Sequence, residues 1–197
     1  MQTVVLAAGL GTRLKPVTEG RSKAMVPVLG RPLVEWALMP LVAQGLKEMV
    51  LVVGPDDQEI RRRFSGGNRL GIEARFVIQK KRKGMAHALG IAAPLLTGDF
   101  VVTACDSLVP QAHVRDLLAR DDGASAVLSL MDVAPESVCR SAAVELAGDE
   151  VRRIVEKPAP GEAPSNTVSL PLYRLPHRLL EILSRLEPSP RGEIELQ

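Results

Sequence analysis

Thr3-Val4-Val5-Leu6-Ala7-Ala8-Gly9-Leu10-Gly11-Thr12-Arg13-Leu14 is the stretch whose reading decides the fold. Thr3–Leu6 has the apolar run of a short buried strand, and it stops at small residues. A loop with Gly9 and Gly11 follows, and two cations, Arg13 and Lys23, come soon after. Small residues let a backbone approach a ligand closely and reach conformations closed to larger ones. Their N–H groups, with a following helix N-terminus, make a cradle for phosphate. A strand running into such a loop, with Arg and Lys beside it, reads as a site for a polyanionic nucleotide.

Outward from that loop, strand-like and helix-like runs alternate. Pro32–Gln44 has helical spacing with Pro32 suited to a first turn, and Met49–Val53 is a continuous apolar run closed by Gly54-Pro55. Asp56–Phe64 reads as a polar helix with a basic face, Ala74–Ile78 as a strand, and Gly84–Leu96 as a small-residue helix bent or ended by Pro94. Phe100–Ala104 is a fourth apolar run and Gln111–Arg120 a fourth helix. This rhythm, with fully apolar strands, predicts a Rossmann-like α/β fold: a mostly parallel sheet with helices on both faces. In such a sheet the ligand lies in the crevice at the carboxyl ends of the strands. The glycine loop after Leu6, Gln79 after Ile78 and Asp106 after Ala104 all fall there.

Past Gly123 the pattern becomes β-rich. Ala124–Val133, Ala142–Leu146 and Glu150–Glu156 read as strands, the last two joined by a hairpin turn at Ala147-Gly148-Asp149. Pro158 to Pro164 is a Pro/Gly loop, Thr167–Tyr173 a further strand and His177–Leu186 a helix. The expectation is one domain over 1–197, with a nucleotide-binding half (1–122) and a smaller β-rich half (123–197).

Composition narrows the classes. Hydrophobic residues are 46% and charged residues 24% of 197, ordinary for a globular protein. A net charge of +2 gives no argument for nucleic acid or membrane, and 3% aromatics is too few for a base-stacking platform. Cys105 and Cys139 lack metal-site spacing and read as reduced thiols. No signal-peptide pattern stands at the start, and no apolar run approaches the ~20 residues of a membrane span. The expected location is the cytoplasm.

The glycine loop fits neither common nucleotide motif. A dinucleotide fingerprint wants a third glycine, where Leu14 stands, and an acid near the end of the second strand, where Gly54-Pro55 follows Val53. A P-loop wants Gly-Lys-Ser/Thr, and none occurs. What remains is Leu6 to Val28, continued by Gly30-Arg31-Pro32-Leu33-Val34-Glu35, Gln79 with Gly84-Met85-Ala86, and Asp106. Glu156-Lys157-Pro158, Ser165-Asn166, Tyr173 and Arg191-Gly192-Glu193-Ile194-Glu195-Leu196 complete the series. In motif and order this resembles the nucleoside-diphosphate-sugar pyrophosphorylases, the sugar-1-phosphate nucleotidyltransferases. It is nearest to the glucose-1-phosphate uridylyl- and thymidylyltransferases and mannose-1-phosphate guanylyltransferases.

The resemblance implies transfer of a nucleotidyl group from a nucleoside triphosphate, UTP or dTTP favoured, to a sugar 1-phosphate, glucose 1-phosphate favoured. Pyrophosphate leaves, and Mg²⁺ is the implied cofactor. Such chemistry asks for positioning and charge neutralisation more than covalent help. Arg13 offers a planar fork for the leaving pyrophosphate, and Lys23 a compact charge for the α-phosphate or incoming phosphate. Asp106 is the implied metal ligand, with a helix N-cap as its other reading. The nucleotide falls to Leu6, Ala7, Ala8, Gly9, Gly11, Thr12, Gln79 and Gly84; a glutamine amide can both give and accept hydrogen bonds at a base edge. The sugar phosphate falls to Ala142, Glu156, Lys157 and Asn166. Lys80-Lys81-Arg82-Lys83 reads as a solvated loop, His87 as a helix-surface residue and Cys105 as small buried packing.

Three departures from the family pattern stand out. Ser141-Ala142 replaces the usual Tyr-Gly, and Pro171 replaces a Gly two residues before Tyr173. The family also continues past Arg-Gly-Glu-x-x-Leu to a late strand with a second metal-binding Asp, which has no counterpart in these 197 residues. A sheet ended early would expose an edge that invites pairing with another copy, so a homo-oligomer is among the expectations. Two alternatives stay open: a nucleotide-sugar-binding regulatory module without turnover, and a nucleotidyltransferase for another phosphorylated acceptor.

Overall fold

The structure, a computed structural model, describes residues 1–120, 126–183, 185–186, 192, 194 and 196. Its strands are β1 (Gln2–Leu6), β2 (Pro27–Val28), β3 (Arg31–Pro32), β4 (Glu48–Val53), β5 (Glu73–Ile78), β6 (Phe100–Ala104), β7 (Val127–Asp132), β8 (Ala142–Ala147), β9 (Glu150–Glu156) and β10 (Thr167–Leu175). Its α-helices are α1 (Leu33–Ala43), α2 (Gln58–Phe64), α3 (Met85–Ala92), α4 (Gln111–Ala119) and α5 (Leu179–Leu183). Among the described residues two compact units emerge, Met1–Val127 with Leu172–Leu196, and Leu128–Pro171.

In the first unit the strands run in the order β5-β4-β1-β6. β1 lies in the middle, parallel to β4 (Thr3↔Met49 to Leu6↔Val52) and to β6 (Gln2↔Phe100 to Leu6↔Ala104). The last residues of β10 flank β6 in antiparallel register, Leu172↔Thr103 to Leu175↔Phe100. Side chains alternate across a strand, so neighbours face opposite ways. Val4 and Val5 are both fully buried, as are Val50 with Leu51 and Val101 with Val102, so both faces of the sheet are covered. One face carries Val5, Leu51, Val53 and Val101 against Leu38 and Leu41 of α1, Ile60 and Phe64 of α2, and Val114 and Leu117 of α4. α3 packs on β1 and β4 and against α5. The expected mostly parallel α/β sheet is what forms.

Several helix boundaries shift from expectation by a few residues. Pro32 stands at the N-cap of α1, not in its first turn. At Pro94 the expected break occurs: α3 ends at Ala92, and Ala93–Leu95 tightens into a 3₁₀ turn because Pro94 has no N–H to continue the helix. α5 is shorter than the expected His177–Leu186, whose residue 184 is outside the described set, as are residues 124 and 125 ahead of β7.

A buried carboxylate ties α1 to α2. Glu35 is 2% exposed, and Arg63 Nε donates to its Oε1 at 2.5 Å. That hydrogen bond raises the arginine's pKa further above its ordinary value. Removing one partner of a buried pair strands the other without compensation. Arg63→Ala is therefore expected to destabilise the fold by roughly 2 kcal/mol, tempered because Arg63 is partly exposed. Urea denaturation measures this, and Glu35→Gln should recover part of the loss in the Arg63→Ala background, since it removes the stranded charge.

The second unit is an antiparallel arrangement. β8 and β9 form a hairpin from Ala142↔Glu156 to Ala147↔Glu150, with a shift of register at Glu145/Leu146, and Gly148 (φ 62°) makes the turn. Val168 of β10 pairs with Ala143 of β8. Val138, Ala143 and Val168 make a small core, joined by Val133, Cys139 and Ala163.

Candidate active site

The glycine loop leaves β1 between its two neighbours: Ala7 N–H donates to Val52 O (2.8 Å), and Cys105 N–H donates to Leu6 O (3.1 Å). Leu6 is partly buried, and Ala7 and Ala8 are buried, so this segment offers backbone to a ligand. Gly11 has φ 63°, in the left-handed region that glycine tolerates. A Cβ on Gly11 would meet Lys23 Cβ at 2.9 Å and Thr18 Cγ2 at 3.0 Å. Thr18 Oγ1 fixes the turn by donating to Gly11 O (2.9 Å). Gly9 is different: a Cβ there would meet nothing within 4 Å.

The expected helix N-terminus after this loop is instead a single 3₁₀ turn, Thr12–Leu14. The cause is Pro16, which disfavours helical dihedrals in the residue before it. Lys15 is accordingly extended (φ −60°, ψ 142°), and the turn ends at Leu14. Arg13 stands exposed on that turn. Lys23 opens a second 3₁₀ turn, Lys23–Met25, anchored by the buried Ala24 and Met25. Its ammonium pairs with Asp106 Oδ2. Gly9, Gly11, Thr12, Arg13, Lys23 and Asp106 line one cavity of about 500 Å³.

Asp106 lies just beyond the end of β6. α4 starts at Gln111 with Pro110 as its N-cap and no side-chain cap bond, so Asp106 does not cap that helix. Next to it, Cys105 is 3% exposed. Burial first, then the Asp106 charge, pushes its thiol up to about 12, so it stays protonated and unreactive at neutral pH.

A second cavity of about 270 Å³ is lined by Leu6, Ala8, Gln79, Arg82 and Gly84; Gly9 borders both cavities, which makes them neighbours. Gln79 is 5% exposed, and its backbone N–H donates to Val53 O (2.8 Å). Its Nε2 donates to Gly84 O (3.3 Å) and lies 3.0 Å from His87 Nδ1. Gly84 has φ 96°, and a Cβ there would run into the Ile194 carbonyl. Ile194 N–H donates to Lys83 O (2.7 Å), and Ala86 N–H donates to Ile194 O (3.0 Å). The Gly84 loop is thus bound on both sides by a single residue from far along the chain.

Three residues took on more than the sequence suggested. His87 is not a free helix-surface residue but a partner of Gln79. Arg82 is not simply part of a solvated basic loop: its Nε donates to Ala8 O at 2.6 Å. Ile194 acts through its backbone, which no side-chain pattern announces.

In the second unit, hairpin pairing sets Ala142 opposite Glu156. Lys157, with φ 46°, follows, its N–H donating to Ser141 O (3.0 Å) and its Nζ 3.5 Å from Glu156 Oε1. Asn166 is exposed, and its carbonyl accepts from Val133 N–H (3.0 Å). Ala142, Glu156 and Lys157 therefore form one cluster. The expected role of residues 191, 193 and 195 lies outside the described residues.

Among the described residues, no three His, Cys, Asp or Glu side chains gather as a metal cluster. The chemistry of the donors at the larger cavity nevertheless suits Mg²⁺, which takes one or two protein carboxylates and completes its shell with phosphate oxygens and waters. Asp106 is such a carboxylate, half-open to the cavity and held by an exchangeable lysine. No helix among the described residues is long and apolar enough to cross a membrane.

A mostly parallel sheet with a glycine-bordered crevice at its carboxyl ends defines an α/β protein of the nucleotide-binding class. Within that class, the chain belongs to the nucleotidyl transferase family, whose model matches residues 2–197. It is 33% identical over its whole length to UTP–glucose-1-phosphate uridylyltransferase AglF of Haloferax volcanii, covering 80% of that protein. It is 32% identical over its whole length to the bifunctional protein GlmU of Methanococcus maripaludis, of which it spans only 45%. The solved UDP-glucose pyrophosphorylase complexed with UDP-glucose shares the fold, with a TM-score of 0.89 at 24% identity over 98% of this chain and 83% of that one.

Proposed function

We propose that this protein transfers a nucleotidyl group from a nucleoside triphosphate, UTP or dTTP foremost, to a sugar 1-phosphate, glucose 1-phosphate foremost. The products are a nucleoside-diphosphate sugar and pyrophosphate. The observation that carries this reading is the convergence of Gly11, Arg13, Lys23 and Asp106 on one cavity beside the Gln79–Gly84 pocket. The Haloferax relative, named as a UTP–glucose-1-phosphate uridylyltransferase, supports the choice of UTP and glucose 1-phosphate.

In this reading the base enters the smaller pocket between Gln79 and Gly84, and the triphosphate runs over the Gly9–Thr12 backbone. Arg13, planar and always charged, holds the departing pyrophosphate oxygens in a bidentate grip. Lys23 leaves Asp106 and turns to the phosphate at the reacting centre, lowering the repulsion that opposes attack by another phosphate. Mg²⁺, when bound through Asp106, supplies further neutralisation of phosphate charge. The attacking oxygen is already deprotonated at neutral pH, so no general base is required. Ala142, Glu156, Lys157 and Asn166 are assigned to the sugar phosphate: Glu156 accepts from hydroxyls and Lys157 meets the phosphate. This reading belongs to the cytoplasm, where nucleoside triphosphates are made.

The test is pyrophosphate release on mixing the protein, Mg²⁺, a panel of nucleoside triphosphates and a panel of hexose 1-phosphates. UTP or dTTP with glucose 1-phosphate should react, and Arg13→Ala should cut kcat/KM by about 10²-fold or more. Silence across every pair, in the full-length protein, would sink the assignment.

A further inference from the structure

We infer that His87 is a positioning residue that fixes which way the Gln79 amide faces, and that the protein thereby selects bases carrying a ring N–H. This rests on the nucleotide reading proposed above and refines it. The amide of a glutamine has a donor end and an acceptor end that are nearly equal in shape, so its orientation follows from its partners. Gly84 O, 3.3 Å from Gln79 Nε2, can only accept, so it is the nitrogen that faces it. The same nitrogen lies 3.0 Å from His87 Nδ1. Both hydrogens of the amide are then committed, and His87 Nδ1 must be the acceptor. That arrangement requires the tautomer with its proton on Nε2.

What is left is Oε1. Among the described residues it has no partner, while Gln79 itself lines the smaller cavity. The glutamine therefore presents an acceptor to the cavity. Uracil and thymine offer N3–H at the centre of their pairing edge, and guanine offers N1–H. Cytosine and adenine place a lone pair at that point, which would meet Oε1 acceptor to acceptor. If the amide turned over, Nε2 would face the base and the preference would invert. Gly84 alone holds one hydrogen of the amide; His87 holds the other and shuts off that rotation.

The neighbourhood makes this a rigid device. His87 sits in the first turn of α3, directly after Gly84, whose backbone is pinned through Lys83 and Ala86 to Ile194. The distance from Gln79 to His87 is thus set by backbone hydrogen bonds.

Calorimetric titration of the full chain with UTP, dTTP, GTP, CTP and ATP in Mg²⁺ tests the idea without requiring turnover. The wild type should bind its best ring-N–H nucleotide at least about tenfold more tightly than CTP or ATP, the scale of one mismatched hydrogen bond. His87→Asn places an oxygen near the site of Nδ1 and should keep that ratio. His87→Leu removes the acceptor and should shrink the ratio by about tenfold. Thermal melts of both variants show whether each is folded, and an unfolded His87→Leu leaves the decision to His87→Phe, judged the same way. A ratio unchanged in the folded variant, or a wild type that favours CTP or ATP, overturns the inference about His87. Absence of binding by every nucleotide overturns the nucleotide reading with it, so the two failures are distinct.

Discussion

Lys23→Ala is expected to lower kcat by about 10²–10³-fold, the loss seen when one preorganised charge is taken from a developing negative centre. The fold should barely notice. The Lys23–Asp106 pair has side-chain exposures of 26% and 39%, and partly exposed ion pairs contribute only about 0–1 kcal/mol. For a domain of this size that is a shift of less than ~4 °C in Tm. The asymmetry is the point: Ala24 and Met25 hold the turn in the core, so the lysine is free to serve the ligand. Steady-state kinetics beside a melting curve measure both quantities. A variant that loses stability and activity in proportion would show that the lysine is structural. Lys23→Arg discriminates further: a planar fork keeps the charge but not its compact placement, and partial activity is expected.

The centre of the sheet was legible because β1, β4 and β6 carry continuous apolar runs, and the hairpin strand β9 because a turn signal precedes it. Phe100–Ala104 and Glu150–Glu156 have the same limits in sequence and structure. So was the crevice, since the ends of β1, β5 and β6 carry Gly9, Gln79 and Asp106. What the chain hid was of two kinds. The first was local and recoverable: Pro16 ends the turn after Gly11 by denying Lys15 helical dihedrals, whereas the break at Pro94 was legible. The second was non-local. His87 meets Gln79 only because the Lys80–Gly84 loop folds back, and that fold depends on Ile194, whose partners are backbone atoms. Arg82 likewise finds Ala8 O across 74 residues of sequence, a bond that a run of lysines and arginines does not foretell. Periodicity reports faces of elements; it carries no information on which loop atoms converge.

Gly84→Ala is expected to be the most damaging small substitution in the nucleotide pocket. Two costs combine. At φ 96° and ψ 179° an alanine occupies a region nearly confined to glycine, at about 1–3 kcal/mol. Its Cβ would also stand against the Ile194 carbonyl and 2.9 Å from Ile194 N, both backbone atoms that cannot swing aside. The structure relieves this by parting the Gly84 loop from Ile194, which breaks the hydrogen bonds of Lys83 O and Ala86 N and carries the Gln79 acceptor out of register. Nucleotide affinity should fall by roughly 10–100-fold, read by calorimetry, with a lowered Tm. Gly71→Ala separates the two costs. Gly71 also has positive φ (63°), but a Cβ there meets nothing within 4 Å, and it lines neither cavity. It should lose about 1 kcal/mol of stability and bind nucleotide as the wild type does. If Gly84→Ala behaves like Gly71→Ala, backbone strain is the whole effect and the Ile194 clamp has no part in shaping the pocket.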